Sequence, residues 1–252
     1  MRASLLILVA AACSHSPATD PGDPAVPPPA PRPVPDAAVA AAVDAAVAVV
    51  PPDAPAVSIV DAPMAWSSAR ERLTLAYRRA HSDASAIDLT IVPQVIVLHY
   101  TGGGSAKATR DYFDSPTIEA SRAQLARAGK VNVSAHFVVD RDGTIYQLQP
   151  VTRFARHCIG LNHLAIGIEN AGDEAKYPLT DAQVAADAAL IRQLASQYKI
   201  THVLGHHEVM GFRTHPYYVE RDPNYQNDKP DPGKAFMTKV RDKIADLGLA
   251  GP

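Results

Sequence analysis

The sequence predicts an α/β fold, a single mixed central β-sheet flanked by helices, and three observations predict it. Short apolar runs rich in branched residues recur at 94–101, 166–170 and 202–205, the pattern of strands buried on both faces. Stretches with helical spacing of apolar residues alternate with them. The runs 134–139 and 144–148 flank Asp140-Arg141-Asp142-Gly143. An Asp-Gly turn between branched and aromatic residues signals a hairpin, so the sheet is mixed.

The folded domain is expected to occupy residues 64–252. Thirteen of the 22 prolines precede Met64 and thirteen of the 14 glycines follow it, which puts a boundary near residue 63. Residues 1–12 read as a signal peptide: Arg2, then the apolar run 5–12, eight residues and too short to span a bilayer. The small residues Ala10-Ala11-Ala12 before Cys13 resemble the lipobox of bacterial lipoproteins, which implies cleavage before Cys13 and lipid attachment to it. Simple cleavage is the alternative. Ser14 after the cysteine fits outer-membrane sorting by the same resemblance. Residues 13–63 then form a Pro/Ala-rich linker, because proline removes backbone donors and favours extended chain. The Ala/Val stretch 37–50 is interrupted by Asp44 and too short for a second span.

Within the domain, residues 64–79 are loosely amphipathic and predict a helix. The strand at 94–101 stops at Gly102-Gly103-Gly104; no Lys-Ser/Thr follows, so the glycines make a turn and not a phosphate cradle. Residues 118–128 predict a helix closed by Gly129. After the hairpin, the strand 166–170 carries an acid, Glu169, near its end. Residues 180–198 predict a helix: Thr180 and Gln183 make a capping box, and Val184, Ala188, Ile191 and Leu194 form its apolar stripe. The last helix is expected from Asp231-Pro232, burying Phe236, Val240, Ile244 and Leu247.

Composition narrows the function. A net charge of -2 gives no general attraction to nucleic acid, so any partner must be recognised by a site. Of two cysteines, Cys158 has no partner once Cys13 is lipidated, which removes disulfide stapling. HExxH, GxSxG and CxxC are all missing; glycine stands at Gly211, where the second histidine of HExxH would fall. Nine of the ten histidines lie in the domain, and His99 and His206 end strands. Catalytic groups favour such ends, although a lone strand histidine is more often a packed or hydrogen-bonded core residue. The stretch from His206-His207-Glu208 to Lys229 and Asp231 holds two imidazoles, a lysine and a carboxylate, and imidazole and carboxylate are the donor types of an open zinc site. Asp231 before Pro232 also reads as a helix N-cap with proline at the first helical position.

Six short motifs in order, VLHYT at His99, SAHFVVDRDGTIYQL, His157 before Ile159-Gly160, GIEN at Glu169, LGHHE at His206 and KPDPG at Asp231, resemble the zinc-dependent N-acetylmuramoyl-L-alanine amidases (type 2 amidases) related to peptidoglycan recognition proteins. The resemblance spans residues 94–235 and is nearest the bacterial lipoprotein branch ending in Lys-x-Asp-Pro-Gly. It implies the amidase fold and makes His99, His206 and Asp231 ligands of a zinc ion (Zn2+). It makes Glu169 the catalytic acid/base, Lys229 the group that stabilises the oxyanion, and His157 a substrate contact. His206 is preferred to His207 because it directly follows Gly205, and strand neighbours face opposite sides. Without the family, Glu169 would read as a surface carboxylate, Lys229 as a solvated lysine, and Cys158 and His136 as structural.

The implied reaction is hydrolysis of the amide between N-acetylmuramic acid and L-alanine in peptidoglycan or muropeptides. The alternatives are a non-catalytic peptidoglycan-binding module and a hydrolase acting on another amide. The partners expected are that substrate and a lipid anchor, with no nucleic acid, and the protein is expected as a monomer on the periplasmic face of the outer membrane. The loop 210–228, with Phe212, Tyr217, Tyr218 and Tyr225, is expected to wall the substrate cleft.

Overall fold

The computed structural model describes residues 57–252. The stretch expected as a signal peptide, Cys13 and most of the expected linker lie outside the described residues. Six strands form one sheet: β1 (Ile59–Asp61), β2 (Val95–Tyr100), β3 (Phe137–Val139), β4 (Ile145–Gln147), β5 (Ala165–Asn170) and β6 (His202–Gly205). Their order is β1-β4-β3-β5-β2-β6; β3 and β4 are the antiparallel hairpin and every other neighbour is parallel. Five helices cover it: α1 (Ser68–His81), α2 (Ala106–Asp114), α3 (Ala123–Ala128), α4 (Asp181–Gln197) and α5 (Lys234–Lys243). The mixed sheet flanked by helices is the fold expected.

Parallel strands at the centre of a sheet are buried on both faces, and β2 shows the consequence, with Val95, Ile96, Val97 and Leu98 all fully buried. Ile96, Leu98, Ile166, Ile168 and Val203 pack on one face with Val184, Ile191 and Leu194 of α4 and Phe236, Met237 and Val240 of α5. Val95, Val97, Ala165 and Leu204 pack on the other with Cys158, Leu161, Leu164, Val209 and Phe212.

Local chemistry sets the helix limits. Ser67 caps α1 by accepting from Arg70 N, and Arg78, Arg79 and His81 complement the dipole in its last turn. The Arg70 guanidinium is buried and donates to the carbonyls of Phe113 and Ser115 at the end of α2. The capping box on α4 forms as expected, with Thr180 accepting from Gln183 N and Gln183 accepting from Thr180 N.

Four expectations change. β1 lies inside the stretch assigned to the linker: Ile59–Asp61 pairs with Ile145–Gln147, so the sheet begins before residue 64. The helix expected over 118–128 covers only Ala123–Ala128, because Thr117 bridges Val131 and Ile118 N bonds Lys130 O. α2 was not anticipated. The last helix starts at Lys234 with Gly233, at φ +91°, as its N-cap and no side-chain cap bond, so Asp231 does not cap it.

Candidate active site

Strand register assembles the site. In the parallel pair β2–β5, His99 stands opposite Glu169, and Val97 opposite Gly167. Successive side chains alternate between faces, so His99 and Glu169 share the face of Val95 and Val97. In β6, Leu204 stands opposite Val97. His206, two residues on and in the 3-10 turn His206–Glu208, returns to that same face, whereas His207 turns the other way.

Three atoms converge. His99 Nδ1 lies 3.0 Å from His206 Nδ1 and 3.2 Å from Asp231 Oδ2, and His206 Nδ1 is also 3.2 Å from Asp231 Oδ2. All three residues are buried. The hydrogen-bond pattern fixes what these atoms offer. His157 Nε2 is 3.2 Å from Ala165 O and must donate to it, so His157 Nδ1 accepts from His99 Nε2, 3.1 Å away. His99 Nδ1 then carries a lone pair. Burial, followed by the neighbouring His206, holds the His99 imidazole down at about 4, against the opposing pull of Asp231. Burial works to raise Asp231, but the adjoining His206 and His99 rings outweigh it, so its carboxylate stays ionised. Three acceptor atoms therefore share at most one hydrogen, an arrangement that a cation resolves. Ligands about 2.0–2.1 Å from a tetrahedral zinc ion stand about 3.3 Å apart, so the observed spacing fits such an ion. His99, His206 and Asp231 are a group that could hold a metal ion.

The triad opens on a cleft of about 460 Å³ whose walls include Glu169, Lys229, His157, Tyr112, Arg122 and Tyr225. Glu169 Oε2 is buried with no hydrogen-bond partner among the described residues. Burial and then the Asp231 charge push its carboxyl well above the usual carboxylate range, while Lys229 and Arg122 pull it back. Lys229 and Asp231 thus reach the same cleft from the Lys229-Pro230-Asp231 segment.

His157 lines the cleft, yet both its ring nitrogens are engaged, one with His99 and one with the chain at Ala165. It touches the triad through His99. His207 donates twice to the carbonyl of Asp231, from its backbone N at 2.8 Å and from Nδ1 at 3.2 Å. His136 accepts from Gly167 N and donates to Arg153 O, and burial keeps it at about 4, a structural residue as expected. Burial raises the Cys158 thiol, leaving it inert.

Several contributors carried no motif. Asn162 Oδ1 accepts from both His157 N and Cys158 N, fixing that turn. A Cβ at Gly167 would fall 2.7 Å from His157 Cγ, so the glycine makes room for the ring. Arg156 donates to the carbonyls of Gly129, Val131 and Leu125 and to Tyr225 Oη, and it stands 4.3 Å over the Tyr77 ring. The aromatics of the 210–228 loop divide: Tyr225 lines the cleft, whereas Phe212, Tyr217 and Tyr218 pack in the core beneath the sheet.

Among solved structures, an endolysin N-acetylmuramoyl-L-alanine amidase, LysCS, from Clostridium intestinale is similar at 21% identity, with 77% of this chain and 97% of that one covered and a TM-score of 0.47. A selenomethionine derivative of AmpD is similar at 22% identity, covering 74% and 94%, TM-score 0.46. Human PGRP-IBETAC, solved with a muramyl pentapeptide, is similar at 17% identity, covering 61% and 84%, TM-score 0.42. No curated protein sequence matches the chain. The sequence profile of the family described as N-acetylmuramoyl-L-alanine amidase matches residues 90–234, a stretch that contains His99, Glu169, His206, Lys229 and Asp231. That is more than half of the chain, which belongs to the N-acetylmuramoyl-L-alanine amidase family.

Proposed function

We propose that this domain hydrolyses the amide between the lactyl group of N-acetylmuramic acid and the L-alanine of the stem, in peptidoglycan or muropeptides, with a zinc ion held by His99 Nδ1, His206 Nδ1 and Asp231 Oδ2. The observation that carries the reading is the triangle of three buried acceptors at 3.0–3.2 Å opening on the same cleft as the unpartnered carboxyl of Glu169. When bound, zinc lowers the pKa of water and polarises a carbonyl. Glu169 takes a proton from the attacking water at a carboxylate oxygen and returns it to the leaving amine. The Lys229 ammonium faces the negative charge that develops on the carbonyl oxygen, where a partly dehydrated wall strengthens its effect. His157 holds the His99 ring in the tautomer that presents Nδ1, and His207 holds the Asp231 main chain.

Peptidoglycan binding without cleavage is the competing reading. It leaves Glu169 unexplained, since burying a carboxyl oxygen without a partner costs about 1–3 kcal/mol and binding alone does not require it. Metal analysis of the purified chain, followed by product analysis after digestion of purified peptidoglycan, separates the two. Zinc at about one per chain and free stem peptides support hydrolysis; a zinc-loaded protein that retains peptidoglycan and frees none supports binding.

We further infer export and lipid attachment at Cys13, with the domain on the periplasmic face of the outer membrane. Support comes from Arg2, the apolar run 5–12 and the small residues before Cys13. Two or more acyl chains anchor stably where one does not. Cys13→Ala is expected to move the protein from the membrane to the soluble fraction while activity on soluble muropeptides stays; an unchanged membrane fraction would remove the anchor.

A further inference from the structure

Behind the cleft, on the opposite face of the sheet, three polar side chains with no exposed surface meet: Asn170 at the end of β5, and Gln183 and Asp187 on one face of α4. Gln183 Nε2 donates to Val139 O at 3.2 Å and Ala171 O at 3.0 Å, closing the ends of β3 and β5. Asn170 Nδ2 donates to Asp187 Oδ2 at 2.9 Å and to the main-chain oxygen of His99 at 3.3 Å. Those two bonds use both amide hydrogens of Asn170. Two buried oxygens on the linked pair are left without a partner among the described residues, Asn170 Oδ1 and Asp187 Oδ1.

We propose that Asp187 is a neutral carboxylic acid whose Oδ1–H donates to Asn170 Oδ1, closing a reciprocal acid–amide pair that positions the ends of β2 and β5 and with them His99 and Glu169. One proton on Asp187 Oδ1 would satisfy both orphaned oxygens at once. The charged and titratable groups on the surrounding elements are otherwise committed. His99 on β2 and Glu169 on β5 direct their side chains to the cleft face. Lys239 on α5 is exposed and paired with Asp181, and Lys243 is exposed. Burial pushes the Asp187 carboxyl up to about 7, with the Asn170 hydrogen bond working against it. The helix neighbours Val184, Ala188 and Ile191 are core residues, so an apolar side chain at 187 would suit packing. What it could not supply is the hydrogen that holds Asn170 against the His99 carbonyl. Asp187 is a positioning residue and touches no reacting atom.

The test compares Asp187→Asn with Asp187→Ala. An amide at 187 can donate to Asn170 Oδ1 and accept from Asn170 Nδ2, so it reproduces the pair without a titrating proton. Asp187→Asn is expected to keep kcat within about twofold, and Asp187→Ala to lower kcat about tenfold or more with little change in KM, as supporting residues behind a metal site do. The unfolding experiment is independent of activity. A carboxyl whose folded pKa lies above its unfolded value stabilises fully below the unfolded value and loses that contribution as pH rises toward 7. The wild-type Tm should therefore fall relative to that of Asp187→Asn by about 3–5 °C per pH unit between pH 4 and 7. The kinetic measurement rests on the amidase reading and the unfolding measurement does not: an inactive wild type with the predicted Tm difference would sink the amidase reading alone. Parallel Tm curves for wild type and Asp187→Asn would overturn the neutral acid. An Asp187→Asn enzyme as impaired as Asp187→Ala, or an Asp187→Ala enzyme with unchanged kcat, would overturn the positioning role. If Asp187→Ala does not fold, the Asp187→Asn comparison decides alone.

Discussion

Two histidines adjacent in sequence do different work, and the difference follows from which way each one points. His206 continues the alternation of β6 onto the cleft face and brings Nδ1 within 3.2 Å of Asp231 Oδ2. His207 points away and binds the Asp231 carbonyl. The expected consequences separate by titration with zinc. Asp231→Ala removes one of three donors and should abolish tight binding. His207→Ala should weaken it about 10- to 100-fold, the usual effect of a residue that orients a ligand. Equal affinity in wild type and Asp231→Ala would end the assignment of Asp231. At this scale the family resemblance singled out His99, Glu169 and His206, and alternation along a strand added the choice of His206 over His207. Asp231 was ambiguous, since Asp-Pro before a helix also signals a cap. Only the start of α5 at Lys234, three residues later, decides against capping. The resemblance implies a substrate contact for His157, but the tautomer chain through Ala165 O engages both its ring nitrogens, which no local motif reveals.

Elements, not single residues, hold the site open. β2 and β5 run parallel with His99 opposite Glu169, so the proposed metal ligand and the proposed acid–base residue share one strand level. Between them and the core, Gly167 leaves room for the His157 ring. Gly167→Ala places a methyl 2.7 Å from His157 Cγ. It is expected to turn the ring, break its bond to His99 and lower kcat about 10-fold or more, measurable with a muropeptide substrate at saturating concentration. A variant of unchanged kcat would make His157 dispensable. The elements that the sequence concealed share a cause, competition between local and distant bonding. Ile118 and its neighbours carry helical spacing, but a bridge between Thr117 and Val131 claims the chain. α2 follows three glycines and was hidden by them, although Ser105, which accepts from Ala108 N, is an N-cap signal in plain view. β1 is three residues long and follows a proline-rich stretch, so composition assigned it to the linker.

On the scale of the whole molecule, the described domain is one sheet with a polar cleft at the C-terminal ends of its central strands, the place where open α/β sheets bind ligands. β1 closes the far edge: Ile59 pairs with Ile145 of β4, and Val57 and Ile59 pack against the main core cluster. A chain beginning at residue 64 is therefore expected to be less stable than one beginning at residue 57, by about 1–2 kcal/mol in urea unfolding, with zinc affinity unchanged. Equal midpoints would show that the edge strand contributes nothing. In the proposed reaction the bound metal and the Glu169 carboxyl act together, and one paired measurement tests both. Zinc content and release of stem peptides from purified peptidoglycan should be read on the same preparations of wild type and Glu169→Gln. Both proteins should hold about one zinc per chain, and the variant should release stem peptides about 10²- to 10⁴-fold more slowly, the contribution of a general acid–base group. A wild type that binds no zinc, or a variant that cleaves as fast as wild type, would contradict the account.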